Sequence, residues 1–105
     1  MTANELSMVY EIADKLGKEE ILLQLSEECS ELVQAALKYR RSIHGLTQKK
    51  TEEETYKNLV EELSDVLMNV EQVVYLFEDR RIREGVDKTH AFKANRWYNM
   101  RRRTI

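Results

Sequence analysis

Two long stretches of this chain repeat their apolar residues in alternating steps of three and four. The first runs Leu22, Leu25, Cys29, Leu32, Ala36, Tyr39, Ile43; the second runs Leu59, Leu63, Val66, Val70, Val73, Phe77. Only an α-helix places residues at that spacing on one face. There is no proline anywhere to interrupt such runs, and the three glycines, Gly17, Gly45 and Gly85, each follow a periodic segment. Nowhere do β-branched or aromatic residues alternate with polar ones over a useful length, so no strand is expected. The pattern predicts four helices: about Asn4–Leu16, Lys18–Ile43, about Thr51–Glu84 and about Asp87–Arg103.

A short connection, His44 to Lys50, makes the two long helices antiparallel neighbours. Val60, Leu67 and Val74 widen the apolar face of the third helix beyond a two-helix seam. The 105 residues suit a single all-α domain spanning 1–105 and leave apolar surface for a second chain, so a homodimer or homotetramer is expected. No stretch approaches the roughly 18 consecutive apolar residues that span a bilayer. The opening residues, MTANELSMVYE, lack the basic-then-apolar order of a signal peptide, and one cysteine forms no internal disulfide. A cytoplasmic protein with no membrane partner is the expectation.

Charge is divided unevenly. Residues 1–79 carry 17 acidic and 8 basic side chains, a net of −9; residues 80–105 carry 2 acidic and 9 basic, a net of +7. Such a chain can hold a cation in one place and phosphate in another, or attract a second copy of itself. Nucleic acid is disfavoured as a partner, because the acidic body would repel a phosphate backbone.

The acidic residues cluster as Glu27-Glu28-Cys29-Ser30-Glu31 and Glu61-Glu62-Leu63-Ser64-Asp65. On a helical wheel, Glu28 and Glu31 fall roughly 60–120° to one side of the second helix's stripe, and Glu62 and Asp65 roughly 40–100° to the same rotational side of the third. Glu27 and Glu61 point outward. Flanks of the same hand meet along one edge when antiparallel helices face each other, so Glu28, Glu31, Glu62 and Asp65 should converge. Four carboxylates at the border of a core repel one another unless something positive sits among them. A hard divalent cation answers that need, and Mg2+, with Mn2+ as a substitute, points toward phosphoryl or pyrophosphoryl chemistry. The competing reading is a pair of solvated helix faces on a non-enzymatic interaction module. A di-iron carboxylate bundle is disfavoured because neither His44 nor His90 completes a Glu-x-x-His.

Glu-Glu-x-x-Glu on one helix followed by Glu-x-x-Asp on the next resembles the signature of the all-α nucleoside triphosphate pyrophosphohydrolases. That superfamily includes MazG, the dimeric dUTPases, dCTP pyrophosphatases and phosphoribosyl-ATP pyrophosphohydrolase. The matching segments are EECSELVQAALKY and NLVEELSDVLMNVEQ, and the likeness covers about Leu22 to Phe77, nearest to compact MazG-like proteins. The 30 residues separating Glu31 from Glu62 are generous for that pattern. The resemblance implies a four-helix fold completed by oligomerisation, with Glu28, Glu31, Glu62 and Asp65 as Mg2+ ligands. It also implies attack of a metal-activated water between the α and β phosphates of a nucleotide, as in nucleotide-pool sanitation. The ATP-intermediate hydrolase of histidine synthesis ranks lower, because Val66-Leu67-Met68-Asn69 stands where Leu-x-Tyr-His is expected.

The basic segment 87–105 fits a phosphate clamp through Lys93-Ala94-Asn95-Arg96, like the Lys-x-Asn-Arg elements near the C-terminus of such proteins. The same residues also suit a solubilising tail or an oligomer contact. Asn69, one turn beyond Asp65, is a candidate for the sugar or base. Trp97 and Tyr98 are expected to pack rather than stack on a base, Arg101-Arg102-Arg103 to form a mobile end, and Cys29 to be a core thiol. His44 is expected to sit at a helix C-terminus and interact with its dipole.

Overall fold

The computed structural model describes residues 1–45 and 51–104, with side chains through Arg101. Its helices are α1 (Ala3–Leu16), α2 (Lys18–Ile43), α3 (Glu52–Leu76) and α4 (Ile82–Thr104), with a 3-10 turn at Glu78–Arg80 before α4. No strand occurs among the described residues, and no described helix is long and apolar enough to cross a membrane.

The helix starts are written in the sequence. Thr2 accepts from the Glu5 amide at 3.1 Å while the Glu5 carboxylate accepts from the Thr2 amide at 2.8 Å, a reciprocal capping box. Thr51 caps α3 by accepting from the Glu54 amide, and Glu52, Glu53 and Glu54 complement the positive end of its dipole. Between α1 and α2 stands only Gly17, at φ 85°, where a side chain would be strained. At the other end of α2, His44 is the cap residue and Gly45 follows at φ 67°.

α2 and α3 form the main contact of the fold and run antiparallel. Ser42 Oγ meets Thr55 Oγ1 at 2.7 Å, Tyr39 tilts against Tyr56, and at the far end Lys18 Nζ lies 4.9 Å from the centre of the Phe77 ring. α1 lies beside α3. The Tyr10 and Tyr75 rings stack 4.2 Å apart, the Tyr75 hydroxyl donates to Asp14, and Gln72 Nε2 donates to the Val9 carbonyl at 3.1 Å.

The seam between α2 and α3 is rotated by one position from the expected stripe. Ile21 and Ala35 are buried, and Leu25, Glu28, Leu32, Tyr39 and Ser42 are half-buried. Leu22, Cys29, Ala36 and Ile43 are exposed instead. On α3 the inward positions are Thr55, Leu59, Glu62, Val66, Asn69 and Gln72, while Leu63 and Val70 face out. Expected and observed sets share every other member on α2, and both helices carry apolar residues on more than one face, so spacing alone does not choose between them. Cys29 is therefore an exposed thiol, not a core one.

The helix end expected at about Glu84, just before Gly85, falls earlier, at Leu76, and its chemistry differs. The Arg81 amide donates to the Glu78 carbonyl at 3.0 Å and the Ile82 amide to the Phe77 carbonyl at 3.4 Å. With Arg81 in the left-handed region (φ 56°, ψ 40°), this is a Schellman closure in which arginine occupies the place glycine usually takes. Half-buried Phe77 and Ile82 sit at the two positions that commonly pack together in that motif. Gly85 lies within α4, and nothing beyond its own helix backbone comes within 4 Å of where its Cβ would stand.

Candidate metal centre

Glu28 and Glu31 are one turn apart on α2, Glu62 and Asp65 one turn apart on α3, and the antiparallel pairing brings these turns together. The rotated seam changes their depth. Glu28 and Glu62 occupy seam positions and are half-buried, whereas Glu31 and Asp65 lie exposed at the rim. Glu27 and Glu61 are exposed. One carboxylate oxygen from each of Glu28, Glu62 and Asp65 falls within 4.8 Å of the others. Around an octahedral Mg2+ with ligands at 2.0–2.1 Å, opposite oxygens stand ~4.1 Å apart, so small side-chain adjustments close the set on an ion.

The electrostatics of the cluster are unfavourable without a cation. Glu28 Oε2 and Glu62 Oε2 are both out of solvent and without a hydrogen-bond partner. Loss of hydration, followed by repulsion from Glu31 and Asp65, pushes the Glu28 carboxyl above the usual carboxylate range. Glu62 moves the same way, through loss of hydration and then the charges of Glu31, Asp65 and Glu28. The ion pairs among the described residues, Lys15–Glu11, Lys18–Asp79, Lys57–Glu53 and Lys88–Glu84, all lie elsewhere. A buried, orphaned carboxylate oxygen costs more than a hydrogen bond gains. Two of them converging from adjacent helices, in an all-oxygen donor set, fit a hard divalent cation that retains waters.

Asn69 is buried one turn beyond Asp65, and its Nδ2 donates to Gln72 Oε1 at 2.9 Å. With the Gln72 bond to the Val9 carbonyl, this forms a relay fastening α3 to α1. Sequence pattern points to Asn69 as a ligand contact and gives no role to Gln72, whose one signal is a polar residue amid Val70, Val73 and Val74.

Lys93, Asn95 and Arg96 stand on α4, which packs appreciably only against the 3-10 turn, and no described contact joins them to the carboxylates. Asn95 Nδ2 donates to the Ala91 carbonyl of its own helix. Trp97 and Tyr98, expected to pack, are 63% and 65% exposed in this chain. Compared with protein-family models, curated proteins and solved structures, the chain matches none of them.

Proposed function

We propose that this protein is a Mg2+-dependent nucleotide pyrophosphohydrolase, cleaving a nucleoside triphosphate to its monophosphate and pyrophosphate, and acting as a cytoplasmic homo-oligomer. The observation that carries the reading is the pair of orphaned oxygens on Glu28 and Glu62, set beside Asp65 and Glu31 where antiparallel helices meet. The Glu-Glu-x-x-Glu and Glu-x-x-Asp motifs that resemble the all-α pyrophosphohydrolases lie at this same place.

In this reading Glu28, Glu31, Glu62 and Asp65 hold the cation, Mg2+ or Mn2+. When bound, the ion supplies a water of lowered pKa and positive charge for phosphoryl oxygens. The chain's own part is positional. Glu28 and Glu62, anchored on the seam, give the site a rigid floor; Glu31 and Asp65, at the rim, remain open to solvent and substrate. Lys93 and Arg96 supply the charge and forked donors that neutralise a polyphosphate, and Asn95 a further polar contact. Asn69 acts indirectly, keeping the α3 turn beyond Asp65 tied to α1 through Gln72.

A second reading, a helical interaction module with a solvated acidic face, draws support from the exposed apolar side chains of α4. Incubation with a panel of canonical and modified nucleoside triphosphates plus Mg2+ separates the two. Release of monophosphate and pyrophosphate, abolished in the Glu31→Ala, Asp65→Ala variant, is the expected result. If no triphosphate is cleaved and Mg2+ leaves both proteins equally stable, the interaction module is favoured.

A further inference from the structure

α4 spans 23 residues, and none of its described side chains is buried. From Arg83 to Arg101 every residue is exposed, among them Phe92 at 67%, Trp97 at 63% and Met100 at 56%. Most helical stability in proteins comes from packing a face. The whole chain shows the same deficit. Its accessible surface is 8601 Å2, against about 6,200 Å2 for a compact monomer of 12.5 kDa. Its radius of gyration is 17.3 Å, against about 13 Å for a compact domain of this length. The excess of roughly 2,400 Å2 matches what one subunit contributes to an obligate homodimer, about 1,000–2,500 Å2.

The body offers a seat of matching chemistry. Val60, Leu63, Leu67 and Met68, rotated out of the α2–α3 seam, line an open groove of ≈ 400 Å3 with Met1 at its end. Its main wall is α3, with seven acidic side chains against one lysine; α4 carries seven basic against two acidic. An apolar-faced helix of net +5 thus has, on the same chain, an apolar groove on a helix of net −6 that it does not reach.

We propose that α4 is an exchanged arm: the α4 helix of each copy lies in the α3 groove of a second copy, with Trp97 and Met100 inserted among Val60, Leu63 and Leu67. The exchange is reciprocal, so the contact is isologous and closes as a dimer. It rests on the oligomeric part of the reading above and not on its chemistry. Lys93 and Arg96 travel with the arm and so come to the acidic α3 of the other copy.

Trp97, the only tryptophan in the chain, reports directly. Full-length protein is followed by sedimentation and by Trp emission with acrylamide quenching, from nanomolar to high micromolar concentration. A dimer whose Trp97 emission is blue-shifted and shielded, reverting on dilution with the midpoint of dissociation, is the expected result. Leu67→Glu, at a residue 62% exposed in the single chain, should retain helical circular dichroism while weakening the dimer at least tenfold. Lys93→Glu should weaken it too, and added salt should loosen the wild type. A dimer in which Trp97 is quenched as freely as a free indole overturns the arm and leaves the oligomer standing. A monomer throughout overturns both. Neither result depends on nucleotide or metal, so failure of the arm and failure of the proposed chemistry are told apart.

Discussion

Ile21 and Leu22 are adjacent, nearly isosteric and opposite in what the rotated seam asks of them. Ile21 is fully buried at the start of α2, whereas Leu22 is 42% exposed. Ile21→Ala removes three carbons from a closed environment. At about 0.8 kcal/mol per buried carbon the transfer loss is about 2.4 kcal/mol, and the cavity left behind raises the cost to about 3 kcal/mol. Leu22→Ala removes the same number of carbons from a half-open site that water refills without leaving a void, at about 1 kcal/mol. With a urea slope of about 1.5 kcal/mol/M, the unfolding midpoints should fall by about 2 M and under 1 M respectively. The buried apolar core among the described residues is small (Val9, Ala13, Ile21 and Ala35), so one large side chain carries much of it. Urea titrations of the three proteins at one fixed concentration decide the matter. If Leu22→Ala costs as much as Ile21→Ala or more, the expected heptad stripe is the true seam and the rotation is wrong.

Other consequences follow from single residues. Gln72→Leu leaves Asn69 Nδ2 without its partner and cuts the tie to Val9, so urea unfolding should show a loss of about 1–3 kcal/mol. Arg81→Gly relieves a left-handed arginine, and Gly85→Ala removes a glycine from a helix with open space at its Cβ; each should stabilise by about 0.5–1 kcal/mol, visible as a higher melting temperature. Because Glu28 and Glu62 are raised in the folded state, the native protein holds their protons more tightly than the unfolded chain does. The stability they contribute is therefore full below the unfolded carboxyl pKa of about 4.3 and is lost as pH rises through their folded values. Melting in a chelating buffer from pH 4 to 8 should show this loss for the wild type and a flatter profile for Glu62→Gln. Identical profiles would refute the electrostatic description of the cluster.

The sequence makes some of this plain and leaves the rest undetermined for physical reasons. Gly17 and Gly45 mark real helix ends because the backbone there takes positive φ. Gly85 misleads because Arg81, four residues earlier, adopts the left-handed turn, and a side-chain-bearing residue in that conformation leaves no compositional signal. Convergence of Glu28, Glu31, Glu62 and Asp65 is legible since i, i+3 spacing on antiparallel helices survives a small rotation of either one. Their depth is not, because it depends on which of two overlapping stripes packs inward. The hidden partner of Asn69 is likewise tertiary, arising where Gln72 meets a carbonyl of α1. The distance between the tail and the carboxylates could not be read either, since it depends on where α4 is turned after the Schellman closure.

Metal linkage bears most closely on whether Glu28 and Glu62 are oriented for a cation. The wild type and a Glu28→Gln, Glu62→Gln variant are melted with chelator and with rising Mg2+ or Mn2+. An ion that binds only the folded form adds about 2.7 kcal/mol at one hundred times its dissociation constant. The wild type should gain melting temperature with either ion, while the variant should start higher without metal and gain nothing. A wild type that melts at the same temperature with and without the ions would show that the cluster holds no cation.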